Sequence, residues 1–286
     1  MPCLAGFGMA RNGSDLYEEA NKCSPILVRG FSSGNVSVVD KQSWLEVCDT
    51  KHRYGANLQA YYKAWKQLTT RPGFWEWLSD ESVEVEGVSR TKLERETVLY
   101  YDRAEREQFA LDIRPDGLLV TRWDQLPITT GDDGWIFVLR DGVLYGSEKV
   151  TNHSPRIHHT SLVGGECVQA AGMIVVVDGV LRVMYPHSGH YRPSEHEVLV
   201  LLRFLQSHGI SLQHMQVDVQ RIQKRSRDGA DGQKLKKVHN AYFWSGDHVL
   251  NFLQVKEQAC EANLFHNIER CCDHDRRSTP TGDAST

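Results

Sequence analysis

The length and charge of the chain exclude several classes of protein. Its 286 residues are enough for one large domain or two smaller ones with a sizeable core. The formal net charge is only −4, so no overall field favours binding to nucleic acid or to an anionic membrane. No stretch approaches the roughly 18 consecutive apolar residues of a membrane span. We therefore expect a globular protein with no nucleic-acid partner and no membrane partner. We also expect a monomer, although the sequence carries no direct signal of the oligomeric state.

The cysteines indicate a protein that works in a reducing compartment, and the two ends of the chain have the composition of flexible segments. The seven cysteines are odd in number, irregularly spaced and without a C-x-x-C pair, unlike a disulfide framework. Residues 1–40 predict a leader or flexible arm without the apolar core of a cleaved secretory signal, although a polar secretion leader remains open. Residues 261–286 are polar and predict a disordered tail.

Residues 41–108 have a helical pattern. The stretch NLQAYYKAWKQL repeats its apolar residues at helical spacing. PGFWEWLSD predicts a short aromatic helix after a Pro-Gly break. SRTKLERETVLYYDRAEREQF predicts a long charged helix with Ser89 as its N-cap. We expect this part of the chain to be mainly helical.

The pattern changes to strands in residues 109–260. Three stretches alternate around Asp-Gly turns at 116–117, 141–142 and 178–179, which is the signal of β-hairpins. HMQVDVQRI predicts another short strand, and HEVLVLLRFLQSHG is open between strand and helix. The sum predicts an α+β fold, with a helical N-terminal part followed by a mostly antiparallel β core.

The stretch HSGHYRPSEHEVLVLL, residues 187–202, concentrates titratable side chains ahead of an apolar run. One interpretation is a helix start, in which Ser194 is the N-cap and Glu197 completes a capping box. The other interpretation is an active-site rim, with Glu195 and Glu197 exposed on the lip of a buried strand. His187, His190 and His196 could also bind zinc. That interpretation has weaker support, because the H-x-x-H spacing is unspecific, and we expect no metal.

Two other stretches are candidate ligand sites. DTKHRYG places Arg53 ahead of a helix, where it could hold a phosphate. The competing interpretation makes Asp49 and Arg53 ordinary surface charges. IHHTSLVGG suits either the approach of a flat ligand ring or an ordinary strand end, and Ser161 lacks the G-x-S-x-G elbow of a hydrolase.

These motifs occur in the same order in known proteins. The blocks DTKHRYGANLQAYYKAW, WIFVL, HTSLVGG and YPHSGHYRPSE resemble those of the plant IQ-motif calmodulin-binding proteins and their fungal relatives, and the resemblance covers about residues 44–215. The bacterial members of this superfamily resemble the CteC-like type III effectors. That family is an atypical group of ADP-ribosyltransferases that modify a threonine of ubiquitin.

The resemblance implies an ADP-ribosyltransferase-like core and a NAD-dependent mono-ADP-ribosyltransferase. It implies a secreted virulence effector that acts in the host cytosol, uses NAD as a substrate and modifies ubiquitin. The implied catalytic residues are Glu195, Glu197 and Asp49. The shared motif position favours Glu195 within the glutamate pair, and Asp116 is the alternative to Asp49 as the aspartate. The implied NAD-binding residues are Arg53, Tyr54, His159, Thr160, Ser161 and Tyr191.

The partner and the alternative function rest on segments outside those blocks. The acidic run SDESVEVEGVS either complements the basic face of ubiquitin or is a solvated connection. Contacts with the protein substrate are expected in the helical part, about residues 44–108, or in the loop 224–237. The alternative function is a catalytically inactive, transferase-like binding module for calmodulin or another protein partner. RIQKRSRDGADG matches an IQ motif only in part, through Ile222, Gln223 and Arg227, and we treat that match as chance.

Overall fold

Four short helices open the part of the chain that the structure describes. The structure, a computed structural model, describes residues 43–219 and 243–258. The predicted helices in NLQAYYKAWKQL and PGFWEWLSD are confirmed. The predicted arm at 1–40, the loop 224–237, the IQ-like stretch and the tail at 261–286 lie outside the described residues. The four helices are α1 (Trp44–Cys48), α2 (Gly55–Lys66), α3 (Phe74–Ser79) and α4 (Arg90–Arg95).

The long charged helix predicted from Ser89 onward is wrong. Ser89 does cap a helix, since its side chain accepts a hydrogen bond from the Lys92 N–H, but α4 ends at Arg95. After Glu96, the residues Thr97 and Val98 pair as β-bridges with other segments. β-branched residues favour such extended pairing over a helix. Within this stretch, the chain becomes helical again only in a short 3₁₀ helix at Glu105–Phe109.

Eight strands form one sheet in the described part of the chain. Their order across the sheet is β2-β1-β4-β3-β5-β6-β7-β8. Every neighbouring pair is antiparallel except β6 and β7. The strands are β1 (Ala110–Ile113), β2 (Leu119–Thr121), β3 (Trp135–Arg140), β4 (Val143–Ser147), β5 (Ala170–Val177), β6 (Val180–Tyr185), β7 (Gln216–Asp218) and β8 (Phe243–Ser245).

The three Asp-Gly turns connect β1 to β2, β3 to β4 and β5 to β6, as predicted. In the last two turns both residues have positive φ, at 50° and 76° for Asp141 and Gly142, which matches the right-handed twist of the flanking strands. The sheet curls, because the Leu119 N–H at one edge donates to the carbonyl of Gly179 in the β5–β6 turn at 2.8 Å.

The stretch left open between strand and helix is a helix, α5 (Glu195–Ser207). Its apolar residues pack on the sheet together with those of the last described helix, α6, whose described part covers residues 246–258. A second apolar cluster includes residues of β3, β4 and β5 and the loops before β5 and α5. The N-terminal helices share a third cluster. The predicted α+β class is confirmed, and no helix among the described residues is long and apolar enough to span a membrane.

Candidate functional site

Three segments that lie far apart in the sequence meet around the side chain of Glu46 in α1. Nε2 of His190, from the S-G-H-Y block, lies 3.6 Å from Oε1 of Glu46. Nδ1 of His158, beside the H-T-S block, lies 4.0 Å from the same oxygen. The N–H of Gly55, in the H-R-Y-G block, donates to Oε2 at 2.8 Å. The motif blocks of the sequence therefore converge on one buried carboxylate, and we name Glu46, His158 and His190 the Glu46 cluster.

Two aromatic side chains cover the Glu46 cluster. The hydroxyl of Tyr100 donates to Oε1 of Glu46 at 2.9 Å. The ring of His52 stacks on the ring of Tyr100 with centroids 4.2 Å apart, and its Nδ1 lies 3.3 Å from the main-chain carbonyl oxygen of Glu46. These contacts hold the carboxylate in one orientation.

Burial and neighbouring groups set the charges in the cluster. Burial opposes the charged form of Glu46, but the two histidines and the Gly55 amide outweigh it and lower the pKa of Glu46 to about 2. Burial lowers the pKa of His158. Burial and the Glu46 charge raise the pKa of Tyr100. At neutral pH the Glu46 carboxylate thus lies beside the neutral imidazole of His158 and the protonated phenol of Tyr100.

The Glu46 cluster has the composition of a metal site. Each of its three residues offers one ligand atom, and these atoms all lie within 4.8 Å of one another. Imidazole nitrogens and carboxylate oxygens are common zinc ligands. The zinc ligands weighed from the sequence were His187, His190 and His196, and only His190 belongs to the Glu46 cluster. His187 lies elsewhere, with its Nε2 2.6 Å from Oδ2 of Asp218.

The sequence interpretation missed Glu46 and Tyr100. Glu46 occurs in SWLEVC, where a single acidic residue among apolar neighbours is the only hint of a buried role. Tyr100 lies inside the stretch that was predicted as one long helix, beyond the point where α4 ends. Neither residue lies in the quoted H-R-Y-G, H-T-S or S-G-H-Y blocks, although both contact residues of those blocks or their neighbours.

Asp49 and Arg53 form a buried ion pair, so their interpretation as surface charges is wrong. Nε of Arg53 donates to Oδ2 of Asp49 at 2.8 Å, and Nη2 donates to Oδ1 at 3.0 Å. The main-chain N–H of Arg53 also reaches Oδ2 at 2.8 Å. Nη1 donates to Glu94 at 2.8 Å. The guanidinium predicted to bind NAD is therefore engaged by two carboxylates, and the predicted roles of both residues stay predictions.

The glutamate pair expected as an exposed rim is buried at the start of α5. Oε2 of Glu197 accepts a hydrogen bond from the Ser194 N–H at 2.7 Å, which completes a capping box. Oε2 of Glu195 pairs with Nζ of Lys256 in α6 at 2.6 Å. The helix-start interpretation is confirmed, and the exposed rim is wrong because the apolar run that follows is helical and packs the first turn inward.

The segment around His159 is not the strand end that one interpretation of IHHTSLVGG expected. Residues 159–160 form a turn that leads into a single 3₁₀ turn, Ser161–Val163. Nε2 of His159 lies 2.9 Å from the carbonyl of Gly172, and burial lowers the pKa of His159 to about 3. These side chains lie inside the protein, and Thr160 is buried with them. Their predicted NAD contacts stay predictions.

The two tyrosines predicted to bind NAD lie at different places. The hydroxyl of Tyr191 donates to the carbonyl of Glu166 at 2.7 Å, and its ring belongs to the apolar cluster on the sheet. The ring of Tyr54 packs against the Arg156 guanidinium, 4.1 Å from the ring centroid. Tyr54 also lies beside His158, with ring centroids 5.9 Å apart, so Tyr54 borders the Glu46 cluster.

Comparison with known proteins finds plant IQ-motif proteins. Residues 105–198 match the family model described as the IQ motif-containing protein middle domain. IQ domain-containing protein IQM5 of Arabidopsis thaliana is 35% identical over 180 residues, which cover 61% of this chain and 36% of that protein. IQ domain-containing protein IQM3 of the same plant is 31% identical over 228 residues, which cover 72% of this chain and 49% of that protein.

The chain spans about a third to a half of the length of these curated relatives. No solved structure matches this chain significantly.

These matches correct the expected relationship to the CteC-like effectors. The family model and the relatives are those of IQ-motif proteins, so the assignment as a NAD-dependent ubiquitin ADP-ribosyltransferase, with type III secretion and virulence, is wrong. NAD as a ligand, ubiquitin as a partner and action in a host cytosol stay predictions. The alternative function, a binding module, has the better support, and the chain is similar to the middle domain of the IQ motif-containing proteins.

Proposed function

We propose that this chain is a protein-binding module that contacts its partner through the turn after β2, residues 121–126. The similarity to IQ domain-containing proteins over residues 105–198 includes this turn. The observation that carries the proposal is the exposure of Trp123 and Leu126, which are 88% and 60% exposed. Tryptophan is usually well buried, so a tryptophan almost fully in water needs an explanation.

The turn is built to hold these two side chains in place. The Asp124 carboxylate accepts hydrogen bonds from the Thr121 hydroxyl and from the Leu126 N–H. Nε of Arg122 donates to Asp112 of β1 at 3.0 Å. A turn that is fixed before binding loses little conformational entropy when a partner covers it. Trp123 is therefore suited to be an anchor residue, and tryptophan is enriched among the residues that dominate interface energy.

Calmodulin is the partner that the resemblance to plant IQ-motif proteins suggests. Its calcium-bound form exposes a methionine-rich apolar groove, and such a flexible surface accepts large apolar anchors of varied shape. Trp123 and Leu126 supply an aromatic and an aliphatic anchor close together in the chain. The proposal is that this pair enters the calmodulin groove.

Titration calorimetry of the full chain with calcium-loaded calmodulin tests the proposal. Trp123→Ala should weaken binding by about 30-fold, because an interface anchor contributes about 2 kcal/mol or more. Phe243→Ala is the matched control, since Phe243 is a partly exposed aromatic on β8 at the other edge of the sheet. We expect that control to stay within about threefold of wild type. No binding by the wild-type chain, or equal losses in both variants, overturns the proposal.

Ubiquitin is a second candidate partner, supported by the acidic segment between α3 and α4. Glu81, Glu84 and Glu86 are all exposed there, as binding to a basic face requires. In an NMR titration of labelled ubiquitin with the full chain, Glu84→Lys combined with Glu86→Lys should reduce the shifts, most strongly at low salt. Shifts that persist unchanged in this variant, or a wild-type chain that causes none, argue against this partner.

A further inference from the structure

We propose that Glu46, His158 and His190 bind a single divalent transition-metal ion of the zinc type. Oε1 of Glu46, Nδ1 of His158 and Nε2 of His190 supply the ligand atoms. The ion would join α1 to the loop before β5 and to the loop before α5. This inference is independent of the binding surface proposed above, because it concerns the interior of the protein.

The distances in the Glu46 cluster suit a shared ion better than direct hydrogen bonds. The separations of 3.6 and 4.0 Å between the imidazole nitrogens and Oε1 exceed the usual range for a hydrogen bond. Two ligands that each lie about 2.1 Å from a tetrahedral ion are roughly 3.4 Å apart. Small side-chain shifts therefore bring the three ligand atoms to coordination distance.

An unpartnered ring nitrogen supports the site independently. His158 is only 5% exposed, and among the described residues its Nδ1 has no hydrogen-bond partner. Buried polar atoms in native proteins are nearly always satisfied, and an exception calls for an unseen ion or water. Nδ1 is the atom of His158 that faces Glu46, so an ion bound there satisfies it.

Neighbouring groups orient the carboxylate as a metal ligand requires. The Gly55 N–H occupies Oε2 of Glu46 at 2.8 Å, and the Tyr100 hydroxyl donates to Oε1 at 2.9 Å. Hydrogen bonds of this kind fix ligand orientation and tune affinity in known metal sites. Two imidazoles with one carboxylate favour zinc or a similar transition metal over magnesium or calcium, which prefer oxygen ligands.

Three protein ligands leave the fourth position of a tetrahedral ion for water or another donor. The position of the Glu46 cluster favours a structural role for the ion. Glu46 is 1% exposed, and the three ligand residues come from separate segments of the chain. Bound metal would tie the N-terminal helices to the sheet and stabilise the folded chain by mass action.

Metal analysis of the full chain after dialysis against a small excess of zinc tests the site. The chain carries thirteen histidines and seven cysteines, which can bind zinc at other places. The test therefore depends on the difference in zinc content between variants and not on the total zinc content of one protein. His190→Ala should lose one equivalent of zinc relative to wild type. His187→Ala, which removes a histidine paired with Asp218, should lose none. Equal zinc contents in wild type and His190→Ala overturn the proposal.

A second measurement keeps the test valid if a variant is destabilised. Cobalt added to the wild-type, metal-free chain should give the visible absorption bands of a four-coordinate site with nitrogen and oxygen ligands. His190→Ala should abolish these bands, and circular dichroism checks that it is folded. Zinc should also raise the melting temperature of wild type and of His187→Ala but not of His190→Ala. Wild-type cobalt spectra without such bands contradict the proposal whatever the variants do.

Discussion

Removing the Asp49 carboxylate should destabilise the protein strongly, because it leaves a buried guanidinium short of its main partner. The side chains of Asp49 and Arg53 are 2% and 7% exposed, and Asp49 accepts three hydrogen bonds from Arg53. Breaking a buried pair by removing one partner costs about 3–5 kcal/mol. For a domain of this size, that corresponds to a drop of roughly 6–20 °C in melting temperature.

Urea unfolding followed by circular dichroism measures the cost of Asp49→Ala directly. Glu94→Ala is the control. Glu94 is 30% exposed and pairs with Lys51 and Arg90 as well as with Arg53, and solvent-screened pairs contribute a few tenths of a kcal/mol each, so we expect a loss of about 1 kcal/mol in total. The two variants should therefore differ by at least about 2 kcal/mol. If Asp49→Ala costs less than about 1 kcal/mol, the pair is not a structural tie, and both residues become candidates for ligand binding again.

Two further substitutions check the packing that positions the site. Glu197→Ala should cost about 1 kcal/mol in urea unfolding through loss of the capping box, whereas Glu197→Gln keeps an acceptor for the Ser194 N–H and should cost less; equal costs would contradict the cap. Gly172→Ala should cost about 1–3 kcal/mol, because its Cβ would lie 2.4 Å from the Tyr185 carbonyl oxygen. Gly189→Ala meets nothing within 4 Å and should be nearly neutral, so a similar melting temperature for both glycine variants would refute the steric argument.

The parts of the fold that depend on neighbouring residues could be predicted from the sequence. Asp141-Gly142 and Asp178-Gly179 specify tight turns through their own backbone preferences. The capping box of Ser194 and Glu197 is a signal that spans only four residues. The sequence predicts the turns outright and offers the capping box as one of two interpretations, because in each the physical cause and its effect lie within a few residues of the chain.

The parts of the site that depend on tertiary contacts could not be predicted in the same way. Nothing in SWLEVC indicates that Glu46 meets two histidines from distant loops. Glu195 was expected to be exposed because the apolar run after it also suits a strand, and its ion pair with Lys256 comes from the last described helix. The sequence favours surface positions for Asp49 and Arg53, because charged residues are rarely buried. Whether two charged side chains are buried as an ion pair depends on the tertiary packing around them.

Hydrogen–deuterium exchange of the full chain with and without calcium-loaded calmodulin tests the central claim most directly. A partner that covers the Trp123 turn should slow exchange in peptides that contain residues 121–126. Peptides that contain β8, at the other edge of the sheet, should exchange at the same rate in both samples. Unchanged exchange at residues 121–126 when calmodulin is saturating would contradict the account, whether or not other segments become protected.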